Sequence, residues 1–213
     1  MNRTPKLIMA AAAALAACTG SLFQSKAAPP TIYLLSAGIG SPAAGGTPPA
    51  AIPVDLAVLK PRVRTGLETD RIAVLYPDRR LDYFADARWS GPLGDVLQDL
   101  TVQEFHSRAN LRTVSGDASV FSSAYWLEIE VSDFQAEYTS AAAAPTVHVH
   151  FLVRVGSSGD RSILGRFEAN ARQPAAENRL TAIVDAYAHA ADAALAEIVA
   201  HADDTLAKIS ETR

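Results

Sequence analysis

Three patterns predict an α/β chain of the α+β kind. Residues 146–155 alternate strictly, with Val147, Val149, Phe151, Val153 and Val155 on one side and Thr146, His148, His150, Leu152 and Arg154 on the other, the period of a strand with one buried and one wet face. The neighbouring segments 125–138 and 162–171 are also strand-like and joined to it by short connections, which predicts an antiparallel meander. Two stretches carry helical spacing instead. Leu93, Val96, Leu97 and Leu100 follow i, i+3, i+4, i+7, and a longer stripe runs from Leu180 through Tyr187 and Leu195 to Ala202.

Taken in order, residues 32–35 (Ile-Tyr-Leu-Leu) read as a first short strand. Residues 36–53 collect Gly, Ala and Pro, and read as a surface excursion with little structure of its own. Residues 54–63 and 71–76 are β-rich, separated by a turn at Thr65-Gly66 and closed by Pro77-Asp78. Residues 81–89 alternate in part, placing Leu81, Tyr83, Ala85, Ala87 and Trp89 on one side of an irregular edge strand. Ser90 is then a candidate N-cap, Pro92 suits a first turn, and Asp95 puts negative charge near a helix N-terminus. That helix is expected over residues 92–106, with His106 and Arg108 in or just past its last turn. In segment 125–138, Leu127, Ile129 and Val131 face one way. Phe134 and Ala136 require a change of phase, which predicts a bulge near Ser132-Asp133. The last helix is expected over residues 178–206, with Asp185, His189, Asp192, Glu197 and His201 mostly off its apolar stripe.

The chain has 213 residues, 19 Lys+Arg against 23 Asp+Glu, and 49% hydrophobic residues, much of that alanine. This suits one modest domain. The mild acidity lacks the basic stripe that nucleic acid requires. A single cysteine, Cys18, rules out an intrachain disulfide framework and a multi-cysteine zinc site. Its position explains it. Arg3 and Lys6 form a short basic head, residues 7–17 an apolar run, and Leu15-Ala16-Ala17-Cys18 reads as a bacterial lipobox, in which the thiol takes a diacylglyceryl group. The apolar run is shorter than the ~20 residues that span a bilayer. The expected organisation is therefore a signal peptide at 1–17, a lipidated tether at 18–31 reaching roughly 40 Å when extended, and a domain at 32–213. Two or three acyl chains make such an anchor effectively permanent. Thr19 follows the cysteine in place of the aspartate that retains lipoproteins at the inner membrane of enteric bacteria. The periplasmic face of the outer membrane is thus the expected location.

The search for chemistry yields little. His148 and His150, two apart on a strand, point to one side and are the sharpest metal candidates, but no third and fourth ligand is identifiable and the default is a pair of exposed strand histidines. There is no Gly-x-Ser-x-Gly elbow and no Gly-Lys-Ser/Thr of a P-loop, and Gly38 and Gly40 make only half a dinucleotide fingerprint. The pairs Asp82 with Asp86 and Glu128 with Glu130 lie on expected solvent faces, where solvation outweighs catalysis. Tyr83, Phe84 and Trp89 are candidates for a lipid or partner contact, with packing of Trp89 under the following helix as the simpler role. No enzyme activity and no cofactor is expected.

The lipobox at Cys18, the strand Tyr33-Leu34-Leu35, the block 67–76, the run Arg88-Trp89-Ser90-Gly91-Pro92-Leu93 leading into Leu97 and Leu100, and the segment 127–134 together resemble the ABC-type transport auxiliary lipoprotein family, which includes the lipoprotein of the paraquat-inducible Pqi system. The insertion at 36–53 departs from the compact family pattern. The resemblance implies helices packed on a mixed, largely antiparallel sheet. It also implies a non-enzymatic subunit of an envelope lipid-transport system, docking an MCE-domain protein and, through it, an ABC permease and ATPase, with self-association within its scope. Two other readings stand beside it: a periplasmic metal-dependent hydrolase using His148 and His150, and a general outer-membrane assembly lipoprotein.

Overall fold

The computed structural model describes residues 29–36, 52–109, 111–116, 122–140 and 142–211. Its architecture is α+β: a mixed sheet, most of whose paired residues are antiparallel, with two helices. The strands are β1 (Thr31–Tyr33), β2 (Ile52–Val58), β3 (Arg62–Val63), β4 (Arg71–Leu75), β5 (Leu81–Trp89), β6 (Leu111–Ser115), β7 (Tyr125–Glu137), β8 (Thr146–Ser157) and β9 (Ile163–Pro174). The helices are α1 (Leu93–Arg108) and α2 (Leu180–Glu211).

The central strand is β7. Along one edge it pairs antiparallel with β8, which pairs antiparallel with β9, so the expected meander is present. Along its other edge β7 takes three strands end to end, all parallel: β2 at Tyr125–Leu127, β3 at Glu130–Val131 and β4 at Ala136–Glu137. β6 extends the sheet beside β2, while β5 and then β1 extend it beside β4. The register shift between Val131 and Asp133 is the bulge at the position where the hydrophobic phase changes. It returns Phe134 and Ala136 to the face already occupied by Leu127, Ile129 and Val131, and all five are buried.

That face is the core. All five inward residues of β8 are buried, as are Ile183, Tyr187, Ala194, Leu195, Ile198 and Ala202 of α2, which packs on β8 and β9. One hydrophobic cluster joins them to Leu93, Leu97, Leu100 and Phe105 of α1. Alanines at the α2 contact allow the helix to lie close to the sheet. Gly165 of β9, where an added Cβ would lie 3.3 Å from the Thr205 methyl, marks the same close approach. Near the bulge, Trp89, Phe134 and Tyr187 form an aromatic trio with centroid separations of 5.2 to 6.2 Å. The Tyr187 hydroxyl, wholly buried, donates to the Ala73 carbonyl at 2.5 Å. Burial also pushes its pKa far up, so it remains a hydrogen-bond donor.

Several expectations are corrected. Ser90 does not cap α1: the N-cap is Pro92, without a side-chain cap, and the Leu93 amide donates to the Thr69 carbonyl at 3.1 Å instead. A backbone carbonyl from the turn between β3 and β4 has taken the role of the serine hydroxyl. Residues 54–63 are two strands, because Pro61 has no amide to continue the ladder. Pro53 belongs to β2, in the irregular stretch between Ile52 and Asp55 where a missing amide is tolerated; residues 37–51 of the expected excursion lie outside the described residues. β5 is no edge strand, since β1 covers its last three residues. Its alternation fails at Asp86, whose φ of 53° turns the chain, and of the five residues expected to share one side only Ala87 and Trp89 are buried. β6 carries no alternation strong enough to be foreseen.

Candidate functional site

The polar face of the meander gathers the titratable side chains. Cross-strand register aligns Glu128 with Arg154 and Arg166, Glu130 with Leu152 and Glu168, Asp133 with His150 and Asn170, and Gln135 with His148 and Arg172. Because side chains two apart share a face, a strand-to-strand ladder of polar and charged side chains results, with opposite charges between β7 and β8 at Glu128 and Arg154 and like charges between β8 and β9 at Arg154 and Arg166. Glu128 lies 3.2 Å from Arg154 and 3.4 Å from Arg62. Arg64 lies 3.7 Å from Asp133 and donates to the Ser132 carbonyl at the bulge. These exposed pairs add little stability individually. They occupy Glu128, Asp133 and Arg154, whereas Glu130 and Arg166 have no ion-pair partner among the described residues.

His148 and His150 sit inside this ladder, their rings parallel and 6.3 Å apart. His148 is buried rather than exposed, which corrects the expectation from alternation. Its Nδ1 lies 3.0 Å from Glu137 Oε1 and its Nε2 3.3 Å from Asn170 Nδ2. Arg172 Nη2 lies 3.0 Å from the same Nδ1, so Glu137, Arg172 and Asn170 together surround the ring. Arg172 donates to Glu137 Oε2 at 2.8 Å. Burial raises the Glu137 pKa, but hydrogen bonds from Arg172, Gln135 and His148 outweigh it and hold the carboxyl below its ordinary range. His150 faces Glu168 at 3.1 Å and Asp133 at 3.7 Å. Each imidazole is thus committed to protein partners, and among the described residues no group of three or more His, Cys, Asp and Glu has the arrangement to hold a metal ion. The carboxylates Glu128 and Glu130 do not converge either: alternate residues of one strand, they meet different neighbours.

The three aromatic candidates separate. Trp89 is a core residue, 2% exposed, packed against Phe134 and Tyr187. Tyr83 is half-buried; its hydroxyl donates to the Gly66 carbonyl at 2.7 Å and the Arg71 guanidinium lies 4.0 Å over its ring. Phe84 is half-buried beside Arg71 and Arg88. Asp82 pairs with Arg80 at 3.3 Å and Asp86 is exposed. Cys18 lies outside the described residues.

One constellation escaped the sequence. Glu104 on α1 is fully buried and bonded to Arg108 one turn on, and Arg108 also bonds Asp192 of α2 at 3.0 Å. Asp192 was expected off the apolar stripe, yet it is 9% exposed. Acids on helices read as solvated faces; only the packing of the last turn of α1 on α2 brings the guanidinium between them. The only available signal was the i, i+4 spacing of Glu104 and Arg108.

The chain belongs to the ABC-type transport auxiliary lipoprotein component family, whose model matches residues 33–199. Among solved structures, protein XCC0632 from Xanthomonas campestris is 22% identical with a TM-score of 0.74, the match covering 85% of this chain and 99% of that one. A hypothetical protein from Chlamydia trachomatis is 14% identical with a TM-score of 0.51, over 73% of this chain and 99% of that one. These likenesses are likenesses of fold. No curated protein matches the chain.

Proposed function

We propose that this chain is an outer-membrane lipoprotein, acylated at Cys18 and facing the periplasm, that serves an ABC/MCE-type lipid-transport system as a non-catalytic docking or adaptor subunit. The observation that carries the reading is family membership across residues 33–199, coupled with the lipobox that ends at Cys18. In this organisation residues 1–17 are removed, residues 18–31 form the lipidated tether, and the domain follows; its first strand takes up Thr31, the last tether residue. No described helix is long and apolar enough to cross a membrane. The partner is an MCE-domain protein, and through it the permease and ATPase.

Two measurements test the proposal. The mass of the chain extracted from membranes is expected to be that of residues 18–213 plus acyl chains, in the outer-membrane fraction of a density gradient. Affinity capture of this lipoprotein from native membranes is expected to recover an MCE-domain protein. Capture that returns outer-membrane assembly factors and no transporter component would overturn the docking role.

A further inference from the structure

An unassigned hollow lies where the tether meets the domain. The β4–β5 register runs Val74↔Asp82 and Ala73↔Tyr83, then jumps to Arg71↔Arg88. Residues 84–87 of β5 therefore stand opposite Ile72 alone. This wide bulge turns on Asp86, which holds the left-handed conformation that only Gly, Asn and Asp adopt readily. Bulges re-aim side chains next to functional sites, and backbone held in such a region points to a use. Here the bulge walls an open hollow of about 470 Å³, completed by Pro30, Arg71 and Arg88.

The lining is chemically specific. Arg88 is fixed by Asp70, its Nη1 2.7 and 2.8 Å from the two carboxylate oxygens. Arg71 has no carboxylate partner among the described residues; it lies on the Tyr83 ring, which orients the guanidinium without neutralising it. Guanidiniums present several N–H donors in a plane and suit phosphate oxygens. Asp86 adds a carboxylate to the same hollow and Phe84 an aromatic ring. Beside it, Ile32 and Leu34 are 54% and 71% exposed, on the short segment that leads back to Cys18.

We infer that this hollow binds the phosphoethanolamine head group of a membrane glycerophospholipid, with the phosphate on Arg71 and Arg88, the ammonium on Asp86, and the glycerol end against Phe84. Ile32 and Leu34 then meet the upper acyl region. The inference rests on the membrane anchoring proposed above, because the tether is what brings this end of the domain to a bilayer.

The test is native mass spectrometry of the full chain released from detergent micelles doped with phosphatidylethanolamine, phosphatidylglycerol or diacylglycerol of identical chains. The phosphatidylethanolamine adduct is expected to exceed the diacylglycerol adduct at least fivefold, and Arg71→Gln to reduce it at least fivefold. Asp86→Asn is expected to abolish the preference over phosphatidylglycerol. Equal adducts with diacylglycerol, or an unchanged adduct in Arg71→Gln, would overturn the site. Complete displacement of the lipid by equimolar inorganic phosphate would reassign it to free anions. Should Arg71→Gln lose its near-ultraviolet circular dichroism, Phe84→Ser supplies the same readout. The acyl mass on Cys18 appears in the same spectra, so failure of anchoring and failure of the hollow are read separately.

Discussion

The β7–β8–β9 meander and the β1–β5–β4 wing belong to one sheet but are built differently. In the meander, strands of 12 and 13 residues pair over nearly their whole length with one register shift in each ladder, alternate residues of β8 and most of those of β7 are buried, and the opposite face carries a ladder of charged side chains. In the wing, strands are short, β1 contributes three paired residues, the register jumps, and one non-glycine residue within β5 has positive φ. Continuous pairing yields a rigid platform with few unmet valences. Interrupted pairing sets the unneutralised Arg71 guanidinium, a hollow and the exposed Ile32 and Leu34 beside one another, a combination with which a ligand or membrane can interact.

The trio at the junction of the two regions gives the largest expected effect. Trp89→Ala should cost about 3–5 kcal/mol in chemical denaturation, because it deletes the largest buried side chain linking the wing to Phe134 and Tyr187. In the meander, the Trp126 indole lies over Gly156, so closely that an added Cβ would come within 2.0 Å of it. Gly156→Ala should displace the ring at a cost of about 1–3 kcal/mol and shift tryptophan emission; an unchanged spectrum would contradict this contact. The sign should differ in the wing. Asp86→Gly removes a side chain from a left-handed position and should stabilise by about 0.5–1 kcal/mol, whereas Glu168→Gly, in a regular strand, should cost about 0.5–1 kcal/mol. If both destabilise, the bulge is not strained. The smallest effect concerns pH. The Glu137 carboxyl is held below its ordinary range, so its contribution is present above the unfolded carboxylate pKa and lost as pH falls through the folded value. Arg172→Met should flatten the acid limb of the melting-temperature profile.

The same contrast governs what was legible in the sequence. The meander could be read residue by residue, including its bulge, because burying one face imposes a period of two and a change of phase has few structural solutions. The stripe of α2 was legible for a similar reason, although the helix extends five residues beyond the expected Leu206 to Glu211. The three parallel pairings of β7 were not, since alternation shows that a segment is extended but not which strand it lies beside. The wing was misread where Asp86 breaks the alternation, and Ser90 where a distant backbone carbonyl replaced a local cap. For the candidate sites, adjacency of His148 and His150 followed from spacing, while their commitment to Glu137, Asn170 and Glu168 depends on strands brought alongside by the fold. Lipidation of Cys18 rests on sequence pattern alone.

The parallel edge of β7 also constrains the order of assembly. β2, β3 and β4 all precede β7 in the chain; β4 meets β5 and β2 meets β6 earlier, but β3 has its sheet partner, and the three are joined edge to edge, only when residues 125–137 arrive. A chain that appears N-terminus first can therefore form the β4–β5 hairpin early, but leaves the inner edges of β2 and β4 open until β7 exists, and such non-local pairing folds slowly. The interval is a window for mispairing and aggregation, during which a holding chaperone would be of most use to this protein.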